Sequence, residues 1–484
     1  MASITFLGAA RTVTGSKYLL DTGDAKVLVD AGMFQGLKEL RERNWQEFPI
    51  AAKDINAIVL THAHLDHCGY LPRLVAQGFR GRVFCTAGTQ DLCRIVLPDS
   101  GRIQEEDAEN ANRHGYSKHA PALPLYGEAD AFRAVSLLQP VGYDRPVPVA
   151  GDIEVEFINA GHLLGSSYAR VGTGGRTILF GGDLGRFGRP VLPDPTMVSE
   201  ADYLLVESTY GNRVHEQDDD GERLAQIVKA TVERGGRVII PSFAIGRVEE
   251  LIYWFRRLEG QRRIPVLPVF LDSPMAIEAL ARYTQRAQEL DPDMQPEAHD
   301  DKMPHGPADR GNSREQRRKH AERERQVSAF CTQRFRTISS AIESRQLTQS
   351  KTPAIIISAS GMATGGRVLH HLKAGLPDSR NTVLLVGFQA AGTRGRNLVE
   401  GAKAIRIHGQ DVAVNAHVES IGSMSAHADS LEIMRWLGGF TRPPSRTFIV
   451  HGEPAAMEAL SATIKDKLGW ATKMPEHRET VQLV

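Results

Sequence analysis

The sequence contains little cysteine and no long apolar segment. Its 484 residues include four cysteines without a CxxC pair, too few for the disulfide scaffold of a secreted protein. We therefore expect reduced thiols and a cytoplasmic location. No stretch approaches the roughly 18 consecutive apolar residues of a membrane span, and residues 1–20 lack the charged start and apolar core of a signal peptide. The sequence thus predicts no membrane association. The cysteines are Cys68, Cys85, Cys93 and Cys331.

The chain also lacks an excess of charge of either sign. Lys and Arg number 58 and Asp and Glu number 58, so the formal net charge is zero at pH 7. A nucleic acid would have to be held by local basic patches, because no global positive field exists to attract it. The length predicts two or three domains with ample material for buried cores.

Several potential metal ligands follow one predicted strand within a short turn. The apolar run 58–60 leads into Thr-His-Ala-His-Leu-Asp-His at 61–67. Imidazole and carboxylate groups both bind zinc. His62 and His64 can turn to one side, whereas Asp66 and His67 reach a neighbouring position. One ion with an open coordination position needs fewer donors, so we predict two metal ions. A hydrophilic loop with surface histidines is the alternative, and it explains a single HxH better than the whole motif.

Other apolar runs each carry one acid or histidine at their C-terminal ends. These residues are Asp30, His162, Asp183, Glu207 and His451. Ligands delivered from several strand ends converge on one edge of a sheet, where a metal site would lie. For Asp30 we expect an outer-sphere role, in which its carboxylate orients the histidine loop. A plain strand-end cap is the alternative.

After Gly211 the pattern changes to alternating helices and continuous apolar runs. Runs of this kind predict a second domain with a parallel sheet covered by helices on both faces. We further predict a strand at 412–417. The strongly charged segment 291–325 is expected to be a solvated segment or charged helix, with phosphate contact as the alternative.

A series of motifs in order links these patterns to a known family. With HxHxDH, AGHLLGS, GGD, VESTYG, SAHAD and HGE, the chain resembles the β-CASP branch of the metallo-β-lactamase fold. That branch includes ribonuclease J and the nuclease subunit of the cleavage and polyadenylation specificity factor. The resemblance implies an α/β fold, namely an αββα metallo-β-lactamase sandwich with an inserted α/β β-CASP domain of parallel-sheet type. The implied domains are 1–208 and 398–484 for the two parts of the sandwich, the latter with an RNA-metabolising segment, and 209–397 for the insertion.

The resemblance also implies a ligand set for two Zn²⁺ ions. His62, His64 and His162 would bind one ion, and Asp66, His67 and His451 the other, with Asp183 bridging them. Asp66, Asp183, Glu207 and His427 are the candidate catalytic residues, with His427 as the acid for the leaving oxygen. The glycine-rich loop 360–366 follows a strand and precedes a predicted helix, so its amides are expected to hold a phosphate. The candidate phosphate-binding residues are Ser360, Gly361, Gly365 and Gly366, and a tight turn that requires glycine is the alternative for each of the glycines.

Taken together, these features predict a zinc-dependent ribonuclease. A hydroxide activated by two metal ions would hydrolyse phosphodiester bonds of single-stranded RNA, endonucleolytically, from the 5′ end, or both. The inserted domain favours a nucleic-acid substrate, because small-molecule lactamases and glyoxalases of the same fold lack it. Hydrolysis of a small ester, thioester or amide by the same metal pair is the alternative. Whether the chain forms a homodimer stays open.

Overall fold

Within the described residues, two seven-stranded sheets and one six-stranded sheet make up most of the strand content. The computed structural model describes residues 2–115, 117, 119–216, 219–294 and 330–483. Most of the charged segment predicted at 291–325 lies outside these residues. The chain divides into two compact units. The first unit comprises Met1–Phe187, Asp194–Glu216 and Ala426–Val484, and the second comprises Gly188–Pro193 and Gln217–Ser425. These units are defined by compactness alone, and the domain boundaries inferred from the motifs stay a prediction.

The two seven-stranded sheets belong to the first unit and have the same plan. Each has a run of parallel strands on one side and a run of antiparallel strands on the other. The first has the order β22-β1-β2-β3-β4-β5-β6 and the second β21-β20-β11-β10-β9-β8-β7. The strands of the first sheet are β1 (Ser3–Phe6), β2 (Tyr18–Asp21), β3 (Lys26–Val29), β4 (Ala57–Val59), β5 (Arg82–Thr86), β6 (Leu138–Val141) and β22 (Thr480–Gln482). The strands of the second sheet are β7 (Val147–Ala150), β8 (Ile153–Asn159), β9 (Ser167–Thr173), β10 (Arg176–Phe180), β11 (Tyr203–Glu207), β20 (Arg446–Val450) and β21 (Thr472–Lys473).

Alternation along the strands explains how these sheets pack. Successive side chains of a strand point to opposite faces. In β10, Ile178 and Phe180 join a cluster that also contains Phe6 and Val29 of the first sheet, whereas Leu179 faces a different cluster with helix residues. Both faces of the second sheet are therefore buried, one against the first sheet and one against helices. This arrangement confirms the predicted αββα sandwich.

The helices of the first unit flank these sheets. The longest of them, Ala87–His114, begins buried and ends exposed, and Thr86 caps its N-terminus by accepting a hydrogen bond from the amide of Thr89. The second half of this helix has mostly polar residues, so no apolar pattern in the sequence indicates it. The helices of this unit are Lys38–Arg43, Leu65–Cys68, Leu71–Ala76, Ala87–His114, Glu128–Val135, Ser430–Leu437 and Pro454–Leu468.

The second unit contains the predicted parallel sheet. Its order is β14-β13-β15-β12-β16-β19, and every neighbouring pair is parallel. The strands are β12 (Val238–Pro241), β13 (Val269–Leu271), β14 (Phe335–Thr337), β15 (Ile355–Ser358), β16 (Thr382–Val386) and β19 (His417–Ile421), beside the hairpin β17 (Ala404–Ile407) and β18 (Gln410–Ala413). The helices are Glu222–Glu233, Arg247–Gly260, Pro274–Gln285, Ala341–Gln349, Val368–Gly375 and Arg394–Val399.

The strand predicted at 412–417 is wrong as one element. The chain leaves β18 after Ala413, and β19 begins only at His417. Between them, the amides of Asn415 and Ala416 both donate to the carbonyl of Leu376 instead of to a strand. None of the helices in the described part of the chain combines the length and apolarity that crossing a bilayer requires.

Candidate metal centre

The predicted ligands meet where strands of the first unit end. The loop 61–67 follows β4, His162 follows β8, Asp183 follows β10 and His451 follows β20. The chain therefore brings together residues that are up to 389 positions apart in sequence, and their ligand atoms form two groups of close neighbours. The first group is His62, His64, His162 and Asp183; the second is Asp66, His67 and His451.

The distances between donor atoms in the first group are those expected around one tetrahedrally coordinated ion. Nδ1 of His64 lies 3.2 Å from Nε2 of His62 and 3.2 Å from Nε2 of His162. Oδ2 of Asp183 lies 3.3 Å from Nε2 of His62 and 3.4 Å from Nε2 of His162. Donors bound tetrahedrally at about 2.0–2.1 Å from zinc are about 3.3 Å apart. Four of the distances among these atoms therefore match those around one such ion.

The second group has the same dimensions. Nε2 of His67 lies 3.3 Å from Nε2 of His451, which in turn lies 3.4 Å from Oδ2 of Asp66. The other oxygen of Asp183, Oδ1, lies 3.2 Å from Nε2 of His67. Asp183 thus presents one oxygen to each group, as expected of a carboxylate shared by two ions.

A buried oxygen of Asp183 supports a cation at this position. The residue is 2% exposed, and among the described residues its Oδ1 makes no well-aligned hydrogen bond; its neighbour at 3.2 Å is Nε2 of His67, itself a predicted ligand. A buried carboxylate oxygen without a well-aligned donor costs free energy, and a cation would supply the missing interaction. The donor set of imidazoles and carboxylates is also the one that zinc prefers. The residues present therefore fit a metal site.

The electrostatics of the first group favour neutral imidazoles, which is the form that binds metal. Burial, with the nearby His67, lowers the pKa of His62 to about 3. Burial also lowers the pKa of His64 to about 4 and that of His162 well below its usual value. Burial alone would raise the pKa of Asp183, but the surrounding histidines, His451 first, hold it well below its usual range. Three neutral nitrogens and one carboxylate are therefore ready for a cation.

His67 differs from the other ligands because it lies between two carboxylates. Burial would lower its pKa, but Asp183 and Asp30 raise it well above the usual value. Without a cation, His67 therefore carries a proton. A metal ligand must give up that proton, so metal binding at this group should release a proton.

Hydrogen bonds behind the ligands fix their orientation. Nδ1–H of His67 donates to Oδ2 of Asp30 at 2.7 Å, and Asp30 also accepts from the amide and hydroxyl of Thr61. Nδ1–H of His162 donates to the carbonyl of Ala426 at 3.2 Å. In both rings this leaves Nε2 for the metal. The predicted contact between Asp30 and the histidine loop is confirmed.

A second buried pair lies beside the ligands. Nδ1 of His427 is 3.1 Å from each carboxylate oxygen of Glu207, and Oε1 of Glu207 also accepts from the amide of Leu184. Burial opposes protonation of His427, but Glu207 and Asp183 raise its pKa to about 9. The side chain of His427 remains 17% exposed. The pair is therefore a charged imidazolium with one face still open to solvent.

Sequence reasoning missed the residues that support His427. Nε2–H of His215 donates to the carbonyl of His427 at 3.0 Å, and the amide of His215 donates to Asp429 at 2.8 Å. The ring of Tyr210 lies 4.5 Å from that of His215. His215 follows no strand, so the signal that identified the other residues is absent for it.

The predicted phosphate loop lies in the second unit, between β15 and the helix Val368–Gly375. The hydroxyl of Ser360 is 2.8 Å from that of Thr364 and accepts from the amide of Thr364. A β-carbon on Gly361 would meet the backbone nitrogen of Phe243 at 2.7 Å, and Gly366 has φ +75°. Glycine is therefore required at these two positions. Gly365 has open space around it.

Family models match three parts of the chain. Residues 11–79 match a model described as the metallo-beta-lactamase superfamily, residues 248–398 match the Beta-Casp domain, and residues 411–475 match a Zn-dependent metallo-hydrolase RNA specificity domain.

Similar proteins cover nearly the whole chain. Ribonuclease TTHA0252 of Thermus thermophilus is 35% identical over 94% of this chain and 94% of its own. Transcription termination factor FttA of Methanosarcina mazei is 31% identical over 99% of this chain and 71% of its own. A crystal structure of a protein of unknown function from Enterococcus faecalis shares the fold, with a TM-score of 0.52, 15% identity and full coverage of both chains.

Proposed function

The chain belongs to the β-CASP family of metallo-β-lactamase-fold proteins, and we propose that it is a zinc-dependent ribonuclease acting on single-stranded RNA. The observation that carries this proposal is the pair of neighbouring donor sets, each facing one oxygen of Asp183, next to the buried pair of Glu207 and His427. The name of the relative from Thermus thermophilus supports RNA as the substrate.

Two Zn²⁺ ions would be held by the donor sets already described. His62, His64 and His162 would hold one ion and Asp66, His67 and His451 the other, with Asp183 between them. When bound, such a pair supplies a nucleophilic water at neutral pH and stabilises the negative charge that develops on the phosphoryl group. Asp30 would keep Nε2 of His67 directed at its ion, because it accepts the proton of Nδ1.

His427 would act as the acid for the leaving 3′ oxygen. An unassisted alkoxide is a poor leaving group, so a donor positioned at this oxygen accelerates cleavage. The hydrogen bond to Glu207 keeps the ring charged and oriented, and the remaining nitrogen, Nε2, carries the proton to be transferred.

The loop 360–366 would hold a phosphate of the RNA strand. It precedes the helix Val368–Gly375, and amides at a helix N-terminus favour an anion. The open space around Gly365 leaves room for a ligand, and the backbone around Gly361 is packed too tightly against Phe243 for any other residue. Cleavage would be endonucleolytic, from the 5′ end, or both.

The experiment uses labelled single-stranded RNA with the zinc-loaded protein and a chelator control. We expect cleavage that the chelator abolishes. Labels at the 5′ end and at an internal position distinguish stepwise loss of nucleotides from internal cuts. Turnover of small esters or thioesters alone, with RNA left intact, would contradict the proposal.

The role of His427 is tested by comparing two variants. His427→Ala should lower kcat by about 10²- to 10⁴-fold with the zinc content unchanged, because the residue acts on the leaving group. Asp183→Asn should lower zinc content and activity together. Loss of zinc in the His427→Ala variant would show instead that His427 is a ligand.

A further inference from the structure

Two exposed histidines form a ring pair on the second unit. The ring centroids of His370 and His408 are 4.7 Å apart, with an angle of 39° between the planes. His370 lies on the helix Val368–Gly375, and His408 lies in the turn between β17 and β18. Neither histidine belongs to the metal centre or to the glycine loop.

The turn between β17 and β18 carries His408 at its exposed tip. Ile407 pairs with Gln410, so His408 and Gly409 form a two-residue turn, and their φ values are +48° and +76°. Hairpin turns with positive φ at both central residues favour Asn-Gly, Asp-Gly or Gly-Gly. Histidine is, with asparagine and aspartate, one of the non-glycine residues found more often at positive φ. The turn therefore accepts the histidine and holds its ring beside that of His370.

The charged groups around both rings are cationic. Burial, together with His408, His371, Lys373 and Arg345, lowers the pKa of His370. Burial, together with Lys373 and Arg394, lowers the pKa of His408. The charged groups with the largest effect on either ring are therefore cations and other imidazoles.

The cations beside the rings are not neutralised by acids. The guanidinium of Arg394 donates to the carbonyls of Arg406, Ala363 and Thr364, which carry no net charge. Glu400, an acid nearby in sequence, pairs with Arg396. Among the residues that the structure describes, neither Lys373 nor Arg394 forms a salt bridge. The surface therefore has positive charge available for an anionic ligand.

We propose that His370, His408, Lys373 and Arg394, which we call the imidazole patch, form an RNA contact additional to the metal centre. This proposal rests on the proposed ribonuclease function. Single-stranded RNA offers both phosphates for the cations and bases that stack on flat rings. The patch presents both kinds of group. An acidic protein would use only the charges, so RNA fits the patch better.

The test replaces three members of the patch without disturbing the fold. The variant combines His370→Gln, His408→Asn and Lys373→Gln. Asparagine is favoured in this type of turn, so His408→Asn should leave the hairpin intact. Arg394 is kept because it bonds to the glycine loop. Arg336→Gln is the matched control, since it removes an exposed cation from β14, at the edge of the sheet opposite β19.

Binding is measured by fluorescence anisotropy of labelled single-stranded RNA in the presence of a chelator, and KM and kcat are measured with the zinc-loaded protein. We expect the triple variant to raise Kd and KM by about 3- to 10-fold and to lower the salt slope of log Kd by about 0.7 for each lost phosphate contact. The kcat should stay at the wild-type value, because the patch does not contact the reacting atoms. Arg336→Gln should leave all of these quantities unchanged.

Unchanged Kd, KM and salt slope in the triple variant would overturn the proposal. If the triple variant unfolds, the single variants His370→Gln and His408→Asn give the same comparison. Failure of the wild-type protein to cleave RNA would refute the ribonuclease function. If the wild-type protein cleaves RNA and the patch variants bind RNA as tightly as wild type, only the proposal about the imidazole patch is refuted. The two failures are therefore distinguishable.

Discussion

The carboxyl group of Glu249 provides a test of the electrostatics of the second unit. Glu249 is fully buried near the start of the helix Arg247–Gly260. Neither of its oxygens has a hydrogen-bond partner among the described residues. Burial raises its pKa to about 8, although backbone amides and Arg247 act in the opposite direction. The next residue, Glu250, pairs with Arg189 and Arg247. Of these two adjacent buried glutamates, Glu250 is stabilised as a carboxylate by arginines, whereas burial favours the protonated form of Glu249.

The sign of the pH dependence follows from the raised pKa. Below the unfolded pKa of 4.5, Glu249 is protonated in both states, and its contribution to stability is fully present. As pH rises towards about 8, the unfolded state releases a proton that the folded state retains, so stability is lost. Between about pH 5.5 and 7.5 the loss amounts to roughly 2–3 kcal/mol, since each pKa unit corresponds to about 1.36 kcal/mol.

Glu249→Gln removes this titration while it keeps the size of the side chain. We expect the free energy of unfolding of the variant, minus that of wild type, to increase by about 2–3 kcal/mol from about pH 5.5 to 7.5. Any cost of burying the amide shifts the whole difference curve and leaves its slope unchanged. Urea unfolding measures the free energy, with fluorescence of the buried Trp254 on the same helix as the probe.

Glu250→Gln serves as the control for this experiment. It leaves Arg189 and Arg247 without their buried partner, so it should destabilise the protein by about 3–5 kcal/mol across this pH range. A flat difference curve for Glu249→Gln would refute the reasoning, because it would mean that Glu249 has an ordinary pKa or a partner.

Three further predictions concern the metal centre and the glycine loop. Asp30→Asn should weaken zinc affinity by about 10- to 100-fold, measured by competition with a chromogenic chelator, because the hydrogen bond that orients His67 changes. Removal of metal should lower the thermal midpoint of unfolding, and re-addition of zinc should restore it. Scanning calorimetry measures this midpoint, and an unchanged midpoint would argue against a bound ion. Gly361→Ala should raise KM for RNA, since a β-carbon there would lie 2.6 Å from Cδ2 of Phe243 and would displace the loop that is proposed to hold a phosphate.

The residues of the candidate metal centre could be anticipated because each of them follows an apolar run in the sequence. His162, Asp183 and His451 each follow an apolar strand, and strand ends of neighbouring strands meet at one edge of a sheet. The parallel sheet of the second unit was anticipated for a similar reason, because its strands are continuous apolar runs that turns and helices separate. Each of these inferences needs only a few adjacent residues.

Other contacts could not be anticipated, because they depend on positions far apart in sequence. The contact of His215 with His427 spans 212 positions and involves a backbone carbonyl, which no side-chain pattern reports. The contact of Asp272 with His371 spans 99 positions and buries both groups in the second unit. Likewise, the break at 414–416 depends on the carbonyl of Leu376, so the alternation at 412–417 alone suggested one strand.

Two residues at the candidate metal centre have backbone conformations that residues with a side chain rarely adopt. Asp30 and His451 have φ values of +58° and +49°, in a region that residues with a β-carbon rarely adopt. Both follow a strand, both are buried, and both direct a side chain towards the same cluster. The left-handed turn ends the strand and costs free energy that local sequence preference would avoid. Tertiary contacts offset this cost, since the amide of Asp30 donates to Val59 and that of His451 donates to Ala9. The two strands therefore depart from local preference at one predicted ligand, His451, and at the residue that orients another, Asp30.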